Sequence, residues 1–221
     1  MNNRVTTGVI LAGGLNTRYP VLKAFVEING LPLIVRTLRI LKNIFPNVLI
    51  STNAPEHYFH LGVPMIGDII AGGGPMSGFH AGLMHAQDGS AFFVACDMPF
   101  LAPEVVEAIC RCHTVHHGPV SATIACYHGR PQPLCGVYSS MLVPAMEAAL
   151  LSDRVKIWPF LEEHGAIFMS EETLKNIDPE GRSFVNINTV EDYAAARELA
   201  VRTVCQRHAG HRVPNEEELT C

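Results

Sequence analysis

The feature that most constrains how this chain folds is a succession of short apolar runs and longer amphipathic segments, repeated along most of its length. TTGVIL, NVLIST, AFFVAC and VSATIAC each have the length of a buried strand, and the segments between them carry apolar residues at helical spacing. Strand and helix in alternation build a mainly parallel sheet, because each crossover helix returns the chain over the sheet. The pattern predicts strands over residues 6–11, 47–52, 91–96, 120–126, 134–138 and 184–186. It predicts helices over 32–45, 76–86, 103–113, 141–151, 155–163 and 190–204. Pro32 and Pro103 stand where a helix can begin, since a first-turn residue has no intrahelical partner for its N–H.

Past residue 204 the pattern fails, and QRHAGHRVPNEEELTC has no apolar period. The expectation is one domain over residues 1–204 and a polar, mobile tail over 205–221. With 48% apolar and 17% charged residues the chain has the composition of a well-buried globular protein. Its net charge of −5 gives no electrostatic footprint for nucleic acid, which needs clustered Lys and Arg. No apolar run reaches the roughly 18 residues of a membrane span. The first apolar segment is short and broken by glycines, unlike an export signal, so a cytoplasmic protein is expected. Seven cysteines are then expected to be reduced thiols, most of them in the core.

Five segments carry candidate chemistry. In LAGGLNTRYPVLK, residues 11–23, a strand runs into Gly13 and Gly14, which would let backbone N–H groups approach an anion, with Arg18 and Lys23 supplying charge. The spacing matches neither G-x-x-x-x-G-K-[ST] nor G-x-G-x-x-G, which removes support for a P-loop hydrolase and a dinucleotide-binding dehydrogenase. A plain tight turn is the competing reading. In GDIIAGGGPMSGFHAGL, residues 67–83, bare backbone around Gly74 precedes a helix, and Asp68 could accept from a ribose or a purine edge or satisfy loop amides. In AFFVACDMPF, Asp97 emerges at the carboxyl end of a buried strand, where open α/β sheets bind ligands. A single carboxylate there suits Mg²⁺, which also takes substrate phosphate oxygens and water. With Pro99 and Pro103 following, Asp97 comes too early to cap the next helix.

In FVNINTVED, strand alternation would put Asn186 and Asn188 on one face, while Thr189 is read as the cap of the last helix. In GRPQPLCGVYS, Arg130 and Gln132 precede an apolar strand and are either contacts for a second substrate or turn residues. CRCHTVHHG holds Cys110, Cys112, His113, His116 and His117, but C-x-C at one helix end points its thiols to different faces and is a poor zinc motif. Cys96 lies within an apolar strand and reads as core, and no G-x-S-x-G elbow is present.

Taken together, LAGG with Arg18 and Lys23, then Asp68 and GGGPMSGFHAGL, then CDMPF, RPQPL and FVNINTVED resemble the MobA family of molybdenum cofactor guanylyltransferases over residues 6–200. The resemblance implies a doubly wound α/β nucleotidyltransferase fold of Rossmann-like, nucleotide-diphospho-sugar transferase type. It implies transfer of GMP from GTP to the molybdopterin form of the cofactor, with pyrophosphate released and Mg²⁺ required. By motif position, Leu11, Ala12 and Gly13 would contact the nucleotide, Lys23 its phosphates, Asp68 the nucleoside, and Ser51 or Asn53 would be the polar residue after the second strand. Asp97 would hold Mg²⁺, and Asn186 and Asn188 would face the second substrate or the metal. Other cofactor-assembly proteins or recipient molybdoenzymes are implied as partners.

The chemistry is consistent with these residues. In-line attack by the terminal phosphate of the pterin on the α-phosphate of GTP needs positioning and charge neutralisation, and no protein nucleophile. The chain departs from the family at Tyr19, Pro20 and Leu22, where the family continues with Met-Gly and reaches an Asp-Lys pair; Pro20 fixes a φ and stiffens the loop. That departure keeps two alternatives open: a sibling enzyme using CTP or another phosphate acceptor, and a nucleotide-binding module without turnover.

Overall fold

The computed structural model describes residues 5–13, 22–116 and 119–209. In chain order these form β1 (Thr7–Leu11), a small hairpin of β2 (Glu27–Ile28) and β3 (Leu31–Pro32), α1 (Leu33–Ile44), β4 (Asn47–Ser51) and β5 (Met65–Ile66). There follow α2 (Pro75–Met84), β6 (Ser90–Ala95), α3 (Pro103–Val115), β7 (Ala122–Tyr127) and β8 (Arg130–Ser139). The chain continues through α4 (Val143–Leu151), α5 (Ile157–Glu163), β9 (Ile167–Met169), α6 (Glu171–Lys175) and α7 (Val190–Ala209).

The main sheet has the order β5-β4-β1-β6-β8-β7-β9. It is parallel except at β8, which runs antiparallel to both β6 and β7. Leu11 at the end of β1 lies opposite Ser51 of β4 and Ala95 of β6, so three strands finish level with one another. The chain reaches β4 and β5 on one side of β1 before crossing to β6 on the other. That reversal makes the carboxyl ends of β1 and β6 a topological switch point, the position at which doubly wound sheets form a ligand crevice.

Side-chain alternation explains the two layers. Val9, Leu11 and Phe93 face Met76, Phe79 and Leu83 of α2, with Met146 and Leu150 of α4 and Phe160 of α5 behind them. Ile10, Ile50, Phe92 and Val94 face the opposite way, onto Leu38 and Leu41 of α1 and Val105 and Ile109 of α3. Fully burying such side chains contributes about 1.5–3 kcal/mol each. Helix α2 rides close to the sheet: a Cβ on Gly78 would come within 2.9 Å of the Leu11 side chain and 3.0 Å of Ser51 Oγ.

Several expectations need correction. Residues 184–186 are not a strand: a 3-10 helix occupies Arg182–Phe184, and residues 185–189 run on without a ladder partner. Pro32 ends β3 and caps α1 rather than opening it, whereas Pro103 is the first residue of α3 as expected. The helix expected from 141 begins as a 3-10 turn, Ser140–Leu142, and the helix expected from 155 begins at Ile157. Helix α7 runs to Ala209, five residues into the stretch read as a tail; the rest of that stretch lies outside the described residues. The β2–β3 hairpin was not anticipated, although its turn residues, Asn29 and Gly30, with φ of 50° and 70°, are the usual dipeptide for such a turn. Among the described residues no helix is long and apolar enough to cross a membrane.

Candidate functional site

The crevice gathers groups from three distant parts of the chain. Lys23, the first residue of the 3-10 helix Lys23–Phe25, places Nζ 2.6 Å from Asp97 Oδ2 and donates to Asn188 Oδ1 at 2.7 Å. Both members of the ion pair are largely shielded, with side chains 18% and 17% exposed. An ammonium group has three donors, and Asp97 and Asn188 take two of them.

Local structure accounts for each placement. Asp97 comes two residues past β6, Cys96 N–H between them donates to the Leu11 carbonyl at 3.2 Å, and Ala102, not Asp97, caps α3. Asn188 is brought in because Ile187 N–H donates to the Asp97 carbonyl at 3.0 Å. Ile187 is also buried with Val26, Ile28 and Leu33 from the hairpin region and with Ala196 and Ala200 from α7. This small apolar cluster ties the Lys23 segment to the NINT segment. Asp192 Oδ2 then accepts from the Asn188 and Thr189 N–H groups while Thr189 Oγ1 accepts from Asp192 N–H, a reciprocal cap for α7 that fulfils the reading of Thr189. Those contacts hold the Asp192 carboxyl below its ordinary value, the Asn188 N–H contributing most.

A second polar pair lies along the same edge. Asn53 Nδ2 donates to Asp68 Oδ2 at 2.7 Å, and Asp68 N–H donates to Asn53 Oδ1 at 2.8 Å, joining the loops after β4 and β5. Ser51 is buried at the end of β4, beside the close approach of Gly78. Gly74 caps α2 at φ 56° and ψ −131°, a backbone conformation open to glycine and strained for other residues. Ala12 N–H donates to the Ser51 carbonyl at 2.9 Å, while Gly13 is exposed with open space where a Cβ would stand.

The remaining candidates divide. Arg130 and Gln132 sit on the part of β8 that pairs only with β7, beyond the last β6 pairing of Val94 with Cys135, and so overhang the edge where Asp97 emerges. Their side chains do not join the lysine cluster; Gln132 donates to the Arg130 carbonyl at 3.2 Å. Asn186 turns back to donate to the Phe184 carbonyl at 3.3 Å, so without a strand the two asparagines take different partners. Gly14, Arg18, Tyr19 and Pro20 lie outside the described residues. His113 is a core histidine, its ring nitrogens 3.0 Å from Thr123 Oγ1 and 3.3 Å from Ser90 Oγ. Burial and then the Asp97 carboxylate push the Cys96 thiol up to about 12, which keeps it protonated and excludes a thiolate nucleophile at neutral pH.

One observation bears on a metal. Asp97 Oδ1 is buried with no hydrogen-bond partner among the described residues, while Oδ2 is held by Lys23. A buried carboxylate oxygen without a donor suits a cation, and a lone carboxylate suits one that completes its shell with phosphate oxygens and water.

Residues 8–168 match the family model of the MobA-like NTP transferase domain. A probable molybdenum cofactor guanylyltransferase of Pelotomaculum thermopropionicum is 36% identical over 195 residues, spanning 88% of this chain and 93% of that protein. The molybdenum cofactor guanylyltransferase of Desulfosudis oleivorans is 32% identical over 197 residues, spanning 89% and 96%. The crystal structure of molybdopterin-guanine dinucleotide biosynthesis protein A from Archaeoglobus fulgidus is similar at a TM-score of 0.78 and 28% identity, covering 89% of this chain and 99% of that one.

Proposed function

Because the chain belongs to the MobA-like NTP transferase family, we propose that it transfers GMP from GTP to the molybdopterin form of the molybdenum cofactor, releasing pyrophosphate. The observation that carries this reading is the meeting of Lys23, Asp97 and Asn188 at the crevice between β1 and β6. Nucleotidyl transfer asks the protein to hold two phosphate-bearing substrates in line and to balance their charge. Lys23 supplies a positive charge that is already oriented, so little reorganisation is required when a triphosphate enters. The Gly13 backbone and the Asn53–Asp68 pair offer donors and acceptors for the nucleotide, and Arg130 and Gln132 overhang the side from which the acceptor would approach.

Mg²⁺ belongs to the same reading: Asp97 would hold it, and the ion would neutralise charge on the transferred phosphoryl group. The protein itself is placed in the cytoplasm by this reading, among other cofactor-assembly proteins or the molybdoenzymes that receive the product. The test is incubation of the full chain with GTP, MgCl₂ and molybdopterin. Stoichiometric pyrophosphate and a guanylylated pterin are expected. Turnover with CTP in place of GTP, or none with either nucleotide, would overturn guanylyl transfer.

A further inference from the structure

Tyr58 stands outside every motif considered above, yet it touches the nucleotide-facing loop from behind. It is 3% exposed, and its hydroxyl donates to the Ala12 carbonyl at 3.2 Å across 46 residues of sequence. Its ring stacks on Phe25 at 5.4 Å between centroids, and Phe25 is the last residue of the 3-10 helix that Lys23 begins. One side chain therefore contacts both Ala12 and the 3-10 helix that Lys23 begins. Burial, and then Cys96, push the phenol up to about 12, so the hydroxyl keeps its proton and remains a donor.

The geometry at Ala12 has a directional consequence. A planar trans peptide points its C=O and the following N–H to opposite sides, and no cis peptide occurs among the described residues. The Ala12 N–H is already fixed on the Ser51 carbonyl. Once Tyr58 holds the Ala12 carbonyl toward the buried side, the Gly13 N–H is turned away from Tyr58, at a residue that is exposed and has open space beside it.

We propose that Tyr58 is a positioning residue that aims the Gly13 N–H at a nucleotide phosphate and sets the spacing between that donor and Lys23. This rests on the proposed nucleotidyl transfer, but an amide meeting phosphate is indifferent to the base. Tyr58→Phe keeps the ring and its stacking while removing the donor.

Titrating full-length wild type and Y58F with GTP and with CTP should show Kd raised about fivefold for each nucleotide, the scale of one lost hydrogen bond. In turnover, KM for GTP should rise by the same factor with kcat and the KM for molybdopterin within about twofold, and Tm should fall by about 2–4 °C, the scale of one lost hydrogen bond in a chain of this size. Phe25→Leu, which removes the ring that stacks on Tyr58 and touches His60 while leaving the hydroxyl's bond to Ala12, should give a smaller rise in the same KM. An unchanged Kd in Y58F would overturn the proposal. A large fall in Tm with kcat and both KM values moving together would overturn it too, since that pattern marks a general packing role. A wild-type preference for CTP would refute guanylyl transfer instead, with the equal Y58F factor for both nucleotides still the measure of Tyr58.

Discussion

The two halves of the sheet present polar groups to the same edge by different means. In the parallel half, β5-β4-β1-β6, the candidate residues each stand two positions past a strand end: Gly13 after β1, Asn53 after β4, Asp68 after β5 and Asp97 after β6. Each emerges from a core that fixes the strand to either side; Asn53 and Asp68 are tied to one another and Asp97 to Lys23, while Gly13 stays exposed. In the other half, β8 runs the opposite way, so its beginning overhangs that edge, and it carries Arg130 and Gln132 on a two-stranded extension. His128 and Gly129, with φ of 51° and 65°, make the tight turn there. The parallel half gives precise placement on a rigid frame. The overhang gives reach.

The sharpest test of that contrast is Asp97→Asn, which keeps the shape of the side chain and removes its charge. A loss in kcat of about 10²-fold or more is expected in pyrophosphate release, the scale of losing a preorganised charged group. Asn53→Ala should be next. It releases Asp68 from its paired loop and should weaken GTP binding about tenfold in a direct titration.

On the overhang, Arg130→Ala should raise KM for the acceptor severalfold and leave the GTP Kd and Tm near wild type. A collapse of GTP affinity in that variant would erase the division between the halves. The smallest effect is expected at Asp192, whose carboxyl is depressed by the Asn188 and Thr189 contacts. A depressed folded-state value means the stabilisation is fully present above the unfolded value of 3.8 and is lost as pH falls through the lower folded one. Wild type should therefore exceed D192N slightly in urea midpoint at neutral pH, with the gap closing in strong acid, because solvent screens an exposed cap.

Much of the parallel half was legible in the sequence, because buried strands of that sheet are short apolar runs and the residue after each run must sit at the edge. Asp97 could be found that way, and so could Gly13. The edge strands β5 and β9 and the short α6 were not legible, since two, three and five residues leave no period to read. The NINT segment misled for a related reason. Val185 and Ile187 alternate with asparagines as a strand would, yet the segment is held by Ile187 N–H on the Asp97 carbonyl and by the α7 cap, without a ladder. The family resemblance drawn from the motifs agrees with the family match over residues 8–168.

The sequence by itself determined the alternation of strand and helix, and hence a mainly parallel sheet, together with the residues that can appear at its carboxyl edge; the doubly wound arrangement came from the family resemblance. Periodicity and turn chemistry are local, so they survive in a string of letters. Only the tertiary structure decided which of those residues meet. Lys23 and Asn188 are 165 residues apart and are joined through Val26, Ile28, Ile187 and Ala196, apolar positions with no chemical signature of their own. Tyr58 was invisible for the same reason: its part depends on one hydroxyl and one carbonyl 46 residues away, a distance that chain packing closes and no motif records.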